Sequence, residues 1–470
     1  MYKGVKVGKT ELWYASPKIQ LLMVSLVCFL CPGMYNALTG LGGGGQLDGT
    51  VQDHSSTALY SVFAVVAFFS GSFANKLGIK ITLAFGGLGY CLYSASLLCY
   101  SHTQNTGFVI FAGAFLGLCA GLLWTAQGSI MMAYPPEESK GRYISWFWII
   151  FNFGAVIGSL IPLGQNIQNH GGTVTDGTYI GFIVLMVVGA ALSFFLINAD
   201  KVIRDDGSKV IMMKNPTWQS EIVGLWECIT LSPWVVLLFP MFFASNIFYT
   251  YQQNGLNLAH FNVRTRSLNN LLYWLAQIFG AVINGYALDF PKVRRSVRAK
   301  ISFGVLFALT FAIWGGGYAW QRQQVGREIA SLESYEDQKI DWTDSNFLGP
   351  MFLYIFYGFY DSIWQTNIYW YMGALSNSGR RTANMAGFYK GFQSAGAAVF
   401  WRLDGIKIPY NTLFAATWGV CAGSLVIAAP IIFTKIHDTT DLETDLKYSD
   451  EKPEDVVPTA ALEDAKRADV

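Results

Sequence analysis

Two charged side chains lie inside long apolar stretches of the sequence. Asp361 falls within the run from Phe347 to Met372, and Lys390 falls within the run from Thr382 to Trp401. Asp361 lies about eleven residues, or roughly 16 Å of helix, from one end of its run, and Lys390 about eight residues, or roughly 12 Å. An ion pair between two neighbouring helices is therefore feasible. Either Asp361, with or without Lys390, titrates or binds a cationic group, or the two residues form a permanent structural pair.

The composition of the chain indicates that these stretches cross a lipid bilayer. Of its 470 residues, 52% are apolar and only 13% are charged, and the mean hydropathy is +0.33. A soluble protein carries about a quarter charged residues, so this chain has too little charge to face water on all sides. Its net charge of +1 also excludes a nucleic-acid binder that relies on a strongly basic surface.

The number of apolar runs predicts the fold class. A helix needs roughly 20 mostly apolar residues to cross about 30 Å of hydrocarbon, where it must satisfy its own backbone hydrogen bonds. Twelve such runs occur: Ile19 to Leu41, Ala58 to Ala74, Ile79 to Tyr100, Gly107 to Met132, Tyr143 to Leu163, Tyr179 to Asn198, Ser232 to Gln252, Ser267 to Leu288, Ala299 to Trp320, Phe347 to Met372, Thr382 to Trp401 and Pro409 to Thr434. The sequence therefore predicts an all-α membrane protein with twelve transmembrane helices.

The distribution of lysine and arginine predicts the orientation of these helices, since positively charged loops stay on the cytoplasmic side. If the N-terminus is inside, the inner segments hold 24 of these residues, the outer loops hold seven, and Lys390 lies within a span. We therefore expect a multi-pass integral membrane protein with both termini in the cytoplasm. Its location would be the plasma membrane or an endomembrane.

The segments between the runs divide the chain into five parts. We predict a cytosolic N-terminal segment (1–18), an N-terminal six-helix bundle (19–198), a cytosolic linker (199–231), a C-terminal six-helix bundle (232–436) and an acidic cytosolic tail (437–470). The tail carries eleven acidic and four basic residues. Because it has almost nothing apolar to bury, we expect it to be disordered.

A short motif follows the second run and recurs after the eighth. The first copy reads Gly71-Ser-Phe-Ala-Asn75-Lys76-Leu-Gly78-Ile-Lys80, and the second reads Gly285-Tyr-Ala-Leu-Asp289-Phe-Pro-Lys292. The leading glycines lie 52 residues after Ile19 and 53 after Ser232, the starts of the two halves. Equal offsets argue for duplication of a six-helix unit. The alternative is that any short cytoplasmic loop contains glycine and positive charges.

These residues carry a family resemblance. The first copy of the motif resembles the signature loop between the second and third helices of the major facilitator superfamily, with Asn75 where Asp is usual and Lys76 where Arg is usual. Several longer strings resemble fungal members of its Unc-ninety-three-like family: Pro32-Gly33-Met-Tyr-Asn36, Phe248-Tyr-Thr-Tyr-Gln252-Gln-Asn254-Gly255, Tyr357-Gly-Phe-Tyr-Asp361-Ser-Ile-Trp364-Gln365 and Gly373-Ala-Leu-Ser-Asn377-Ser-Gly-Arg380-Arg381. The resemblance runs from about Ser16 to Lys435.

The resemblance implies a major facilitator fold of two pseudo-symmetric six-helix bundles around a central cavity that opens alternately to each side. It places the first, fourth, seventh and tenth helices along the cavity and a gating loop at Gly71, Asn75, Lys76, Gly78 and Lys80. The polar residues on those helices become candidates for substrate binding: Asn36, Gln127, Asn246, Tyr249, Asp361 and Gln365. Amides and aromatic rings suit a neutral or weakly charged organic solute. The alternative is that each buried amide bonds across a helix interface.

The sequence as a whole favours a secondary transporter that moves an unidentified small organic solute by alternating access, with proton coupling as one option. The resemblance keeps a second function open, a non-transporting escort or regulatory subunit of another membrane protein. An enzyme is not expected, because no His-Glu-x-x-His run, Gly-x-Ser-x-Gly elbow or metal-ligand cluster occurs. We accordingly expect no cofactor and no metal, and the lipid bilayer as the constant partner.

Overall fold

Helices make up nearly all of the structure, which is a computed structural model describing residues 5–7, 10–46, 49–70, 73, 77–134, 140–166, 174–197, 201–202, 218–376 and 379–439. In chain order the α-helices are α1 (Pro17–Leu30), α2 (Pro32–Thr39), α3 (Thr50–Ala67), α4 (Ile79–Thr103), α5 (Thr106–Ala133), α6 (Lys140–Asn166), α7 (Asp176–Leu192), α8 (Trp218–Leu231), α9 (Phe239–Phe243), α10 (Phe248–Thr250), α11 (Val263–Leu288), α12 (Arg295–Gln321), α13 (Arg327–Ala330), α14 (Leu348–Leu375), α15 (Gly379–Gly405) and α16 (Tyr410–Thr434). Short 3₁₀ turns cover Gly43–Gly45, Ser193–Phe195, Pro233–Leu238 and Glu333–Gln338, and a π-helix covers Tyr251–Leu258.

The predicted spans correspond to helices of the structure. Within the described residues, nine helical stretches are long and apolar enough to cross a membrane. The other three predicted spans overlap α3, α14 and α15, which carry more polar or aromatic residues or are shorter than the rest; α3 begins at Thr50, eight residues before the predicted start, and residues 71, 72 and 74 of that span lie outside the described residues. Hydropathy alone ranks these helices lower because of their polar side chains, most of which are buried against protein.

Equivalent helices pack in the same way in both halves of the chain. In the first half, α5 packs against α3 and α4, and α4 packs against α7. In the second half, α14 packs against α11 and α12, and α12 packs against α16. The two halves meet where α6 lies along α11 and where α3 lies along α15. The packing is thus the same between the corresponding spans of each half.

Close backbone approach explains several of the glycines in these helices. A Cβ added at Gly117 on α5 would lie 2.2 Å from the Leu59 carbonyl oxygen of α3, and one at Gly113 would lie 2.5 Å from the Ser55 carbonyl oxygen. The spacing of Gly113, Gly117 and Gly121 therefore serves tight helix packing, as small residues commonly do in membranes.

Two segments outside the predicted bundles contain regular structure. In the N-terminal segment, β1 (Val5–Val7) pairs with β2 (Thr10–Leu12) as an antiparallel hairpin in which Lys6 lies opposite Glu11. The predicted linker ends in α8, because its last residues form an apolar helical stretch.

At the start of the predicted tail, the chain is bound to α12. Arg295 Nε donates to the His437 carbonyl oxygen at 2.7 Å, and the Ser296 hydroxyl donates to Asp438 at 2.7 Å. The remainder of the tail, from residue 440, lies outside the described residues.

Candidate functional site

The first and seventh spans, which begin the two halves, are both interrupted near the centre of the molecule. The first span breaks at Cys31, whose backbone leaves the helical region (φ −101°, ψ −82°), and resumes at Pro32. The seventh span breaks over residues 244–247 and resumes at Phe248. Proline cannot continue the hydrogen-bond ladder, which accounts for the first break. Interrupted helices in corresponding positions are typical of transporter binding sites.

A cavity of about 70 Å³ lies between the two halves beside these breaks. Aromatic rings and amides make up most of its wall. The first half contributes Tyr35, Asn36, Tyr60, Tyr90, Trp124 and Trp148, and the second half contributes Asn246, Tyr249, Trp274, Gln277, Gln365, Lys390 and Gln393. Four of the six predicted binding residues, Asn36, Asn246, Tyr249 and Gln365, therefore line one cavity.

Asp361 lies directly behind this wall, fully buried, and does not line the cavity. Its Oδ2 accepts hydrogen bonds from the hydroxyls of Tyr249 (2.6 Å) and Tyr273 (3.1 Å) and from the side-chain amide of Gln277 (2.6 Å). Its Oδ1 accepts from Gln365 Nε2 at 2.8 Å. Four neutral donors thus surround the carboxyl group.

Lys390 lines the cavity and is 7% exposed. Its Nζ donates to Gln393 Oε1 at 2.9 Å. The same atom lies 4.7 Å from the ring centroid of Trp124, 5.0 Å from that of Tyr389 and 5.6 Å from that of Tyr369. The ammonium group is therefore held by aromatic faces and one amide oxygen.

Two glutamines connect Asp361 and Lys390, which do not form the direct ion pair that their depths made feasible. Gln393 accepts from Lys390 and donates through Nε2 to Gln365 Oε1 at 3.3 Å, and Gln365 in turn donates to Asp361. Gln393 also donates to Asn246 Oδ1 at 3.0 Å. No ion pair between the two charges occurs among the described residues, because each charge is already surrounded by neutral partners.

Gln127 does not line the cavity. Its Nε2 lies 3.4 Å from the sulfur of Met131, and its Oε1 is buried without a hydrogen-bond partner in the described part of the chain. Trp124, three residues earlier, does line the cavity. Three residues turn a helix by about 300°, so Gln127 points about 60° away from Trp124.

The predicted gating loop is only partly described. Gly71, Asn75 and Lys76 lie outside the described residues. Gly78 has a φ of +78°, a left-handed conformation that favours glycine, and Lys80 lies in the first turn of α4.

The second copy of the motif connects the two halves through Asp289. Its Oδ2 accepts from the backbone amide of Arg142 at 2.8 Å, at the start of α6. Burial raises the pKa of Asp289. The second copy of the motif thus joins the end of α11 to the start of α6 by a hydrogen bond.

A second set of contacts between the halves was not predicted from the sequence. It lies at the end of the molecule that carries Gly42–Gly45, here the glycine-loop end. Asn254 Nδ2 donates to Asp53 Oδ1 at 2.8 Å and to Asp404 Oδ2 at 2.9 Å, and its Oδ1 accepts from the Gly43 amide at 3.1 Å. Arg327 pairs with Asp404. We call Asp53, Asn254, Asp404 and Arg327 the Asn254 cluster.

Arg266 adds to the closure of the glycine-loop end. It is fully buried on α11, and its guanidinium donates to the carbonyl oxygens of Leu41 and Gly42, both at 2.6 Å. The run Gly42–Gly45 has positive φ at all four positions and folds as a tight turn, in which the Gly42 carbonyl oxygen accepts from Arg266 of the second half while those of Gly44 and Gly45 accept from Tyr179 and Val174 of the first half. These four glycines are buried, so the run is a closely packed turn at the mouth of the first span.

No sequence signal identified the Asn254 cluster. Asp53 and Asp404 flank predicted spans and read as loop residues, and Asn254 lies in the π-helix. A π-helix changes which side chains share a face, and such segments are frequent at functional sites. Among the described residues, no group of three or more His, Cys, Asp or Glu side chains could hold a metal ion.

Comparisons with known proteins agree with this architecture. The profile described as Major Facilitator Superfamily matches residues 21–401. An UNC93-like protein of Schizosaccharomyces pombe is 50% identical over 442 residues, covering 94% of this chain and 87% of that protein. UNC93-like protein 1 of Arabidopsis thaliana is 40% identical over 431 residues, covering 91% of this chain and 92% of that protein.

Two solved structures share the fold. The E. coli fucose:proton symporter has a TM-score of 0.56 at 13% identity, with 91% of this chain and 100% of that chain covered. A proton:xylose symporter has a TM-score of 0.60 at 10% identity, with 90% and 98% covered. At such identities the likeness concerns the fold alone. Together with the profile match, it confirms the all-helical major facilitator fold expected from the sequence.

Proposed function

The chain belongs to the Major Facilitator Superfamily as an UNC93-like membrane protein, and from that premise we propose that it is a secondary carrier of a small organic solute. In this proposal the six-helix units 19–198 and 232–436 rock about the central cavity and expose it to one side of the membrane at a time. Both termini lie in the cytoplasm. The observation that carries the proposal is the cavity between the halves, lined by polar groups at the breaks of the first and seventh spans.

The contacts at the two ends of the molecule support alternating access. At the glycine-loop end, the Asn254 cluster and Arg266 link the halves. At the opposite end, Asp289 meets the start of α6, and Ser145 Oγ donates to the Ala281 carbonyl oxygen at 3.1 Å. Each such hydrogen bond contributes only a modest net free energy, so those at one end can break while those at the other end form.

Asp361 is the group proposed for coupling. A proton added to its carboxyl group would remove the negative charge to which Tyr249, Tyr273, Gln277 and Gln365 donate. Tyr249 and Gln365 also line the cavity, so a change at the carboxyl group alters the wall that the solute contacts. This link makes proton-coupled transport chemically reasonable for the chain.

Reconstitution into liposomes tests the proposal. We expect uptake of at least one member of a panel of small organic solutes, with a rate that depends on a pH gradient. Asp361→Asn should abolish the pH dependence, because the amide cannot titrate, while Asp337→Asn on the surface should leave it intact. Unchanged pH dependence in Asp361→Asn would remove the coupling role. A protein that is inert toward the whole panel but co-purifies with one membrane protein would favour the escort function.

A further inference from the structure

The ammonium group of Lys390 has fewer oxygen partners than a buried cation needs. A lysine ammonium has three N–H donors. In the described part of the chain, only Gln393 Oε1 accepts a hydrogen bond from it. The surrounding rings of Trp124, Tyr369 and Tyr389 attract the cation through their faces, and within the described residues neither tyrosine hydroxyl accepts a hydrogen bond from it.

The missing partner is not supplied by Asp361. Buried charges in proteins are normally paired, since an isolated one is expensive to desolvate. The Asp361 carboxyl group already accepts four hydrogen bonds and lies behind the cavity wall, with Gln365 and Gln393 between it and Lys390. Lys390, by contrast, lines the cavity itself. The cavity is therefore the place where an acceptor for the other two N–H groups of Lys390 can lie.

The cavity sets the size and charge of that acceptor. Lys390 is the one charged residue in the described wall, so a single negative charge matches it and several would not. One water molecule needs roughly 10–15 Å³ of such cavity volume, so about 70 Å³ has room for about five to seven non-hydrogen atoms, the size of an acid of a few carbon atoms. Within the described residues, the side-chain amide nitrogens of Asn246 and Gln277 each keep an N–H group that can donate to a hydroxyl or carbonyl oxygen elsewhere on such a molecule.

We propose that the cavity binds a small monocarboxylate whose carboxylate oxygens accept hydrogen bonds from Lys390 Nζ, the one wall cation, held between Trp124, Tyr369 and Tyr389. This proposal rests on the proposed carrier function and names its substrate class. Aromatic faces keep the ammonium in place when the cavity is empty, and the incoming carboxylate completes its shell. The site then distinguishes an acid from a neutral molecule of the same shape.

Matched acid and amide pairs test the proposal on the full-length protein. Binding of propionate and propionamide, and of lactate and lactamide, is measured by calorimetry in detergent, with flux measured separately in liposomes. We expect each acid to bind at least tenfold more tightly than its amide. Chloride is a third arm, and it should compete only weakly because it makes no use of the amide wall.

Three variants complete the test. Lys390→Met should reduce acid affinity at least tenfold and leave amide affinity nearly unchanged, while Lys390→Arg should keep part of the preference for acids. Lys300→Met, an exposed lysine on α12, is the matched control and should behave as the parent protein. The acid and amide comparison on the parent protein needs no variant, so it remains decisive if Lys390→Met does not fold.

The outcomes separate this proposal from the carrier function. Equal affinity for acid and amide, tighter binding of chloride than of any acid, or full acid affinity in Lys390→Met would each overturn the monocarboxylate site. Flux of a neutral solute without acid binding would overturn it and leave the carrier intact. Acid binding without flux of any solute would support the site and remove the carrier.

Discussion

Substitution of Asn254 by aspartate should open the glycine-loop end of the molecule. The side chains are nearly the same size, so Asn254→Asp changes charge with little change in shape. It replaces the Nδ2 donor, which lies 2.8 Å from Asp53 Oδ1 and 2.9 Å from Asp404 Oδ2, by an acceptor oxygen. Three carboxyl groups would then share one buried position between the two halves.

The size of the effect follows from two independent limits. Two unit charges about 4 Å apart repel by about 4 kcal/mol at an effective dielectric constant of about 20. Alternatively the new aspartate takes up a proton, which at pH 7 costs about 4 kcal/mol because its ordinary pKa is about 3.9. Asp53 and Asp404 are two such neighbours, so repulsion costs at least as much as protonation, and the lower cost of about 4 kcal/mol gives a shift of roughly 10³-fold toward the open end.

The sign of the pH dependence is fixed by the same reasoning. The closed end raises the pKa of the introduced aspartate above its ordinary value, so the closed form binds the extra proton and gains stability as the pH falls. At pH 5 the cost of protonation is only about 1.5 kcal/mol, so the shift should shrink to roughly tenfold. Asn254→Ala also loses the hydrogen bonds to Asp53 and Asp404, but introduces no titrating group.

Labelling of a cysteine in the cavity wall measures the opening. Asn36→Cys places a thiol there, and Cys99→Ser removes the described cysteine that is not buried. A membrane-impermeant thiol reagent is added from the face that carries the glycine loop, and rates are compared with the Asn254 parent at the same pH. We expect a large increase for Asn254→Asp at pH 7 that shrinks at pH 5. Equal rates at pH 7, or the same ratio at both pH values, would refute the reasoning.

Two further predictions concern stability. Tyr249→Phe, which removes a donor to the Asp361 carboxyl group, should destabilise the protein by about 1.5–3 kcal/mol, against about 1 kcal/mol for Tyr360→Phe, whose hydroxyl is bonded to a neutral threonine. Equal losses in chemical unfolding would argue against a charged acceptor. Gly117→Ala should lower the melting temperature in detergent, since its Cβ would meet a carbonyl oxygen at 2.2 Å, whereas Gly316→Ala has open space and should not. Similar melting of the two variants would contradict the packing assigned to α5.

The predictions made from the sequence succeeded where one residue's chemistry decides its place. An apolar run long enough to cross lipid must be helical, because no other single segment satisfies its backbone there. The family resemblance placed the first, seventh and tenth helices along the cavity, and Asn36, Asn246, Tyr249 and Gln365 of these helices lie in its wall, while their role in substrate binding stays a prediction. The family, and with it the helical transporter fold, was also identified from the sequence and is confirmed by the comparisons.

Side-chain pairing was decided only by the tertiary structure. Depth alone allowed Asp361 and Lys390 to touch, but the neighbouring helices bring two glutamines between them. Gln127 contacts Met131 because of the way its helix is rotated about its own axis, and the depth of a residue along a helix does not specify that rotation.

The Asn254 cluster shows the same limit most clearly. It joins Asn254 to Asp53, which is 201 positions away in the chain, and to Asp404, which is 150 positions away. Asn254 lies in a π-helix, whose register changes which side chains face the other half. Inside the membrane, a polar side chain must be covered by protein, because no water is available there to form hydrogen bonds with it. Which partner covers it is set by packing between distant segments, and this only the folded chain determines.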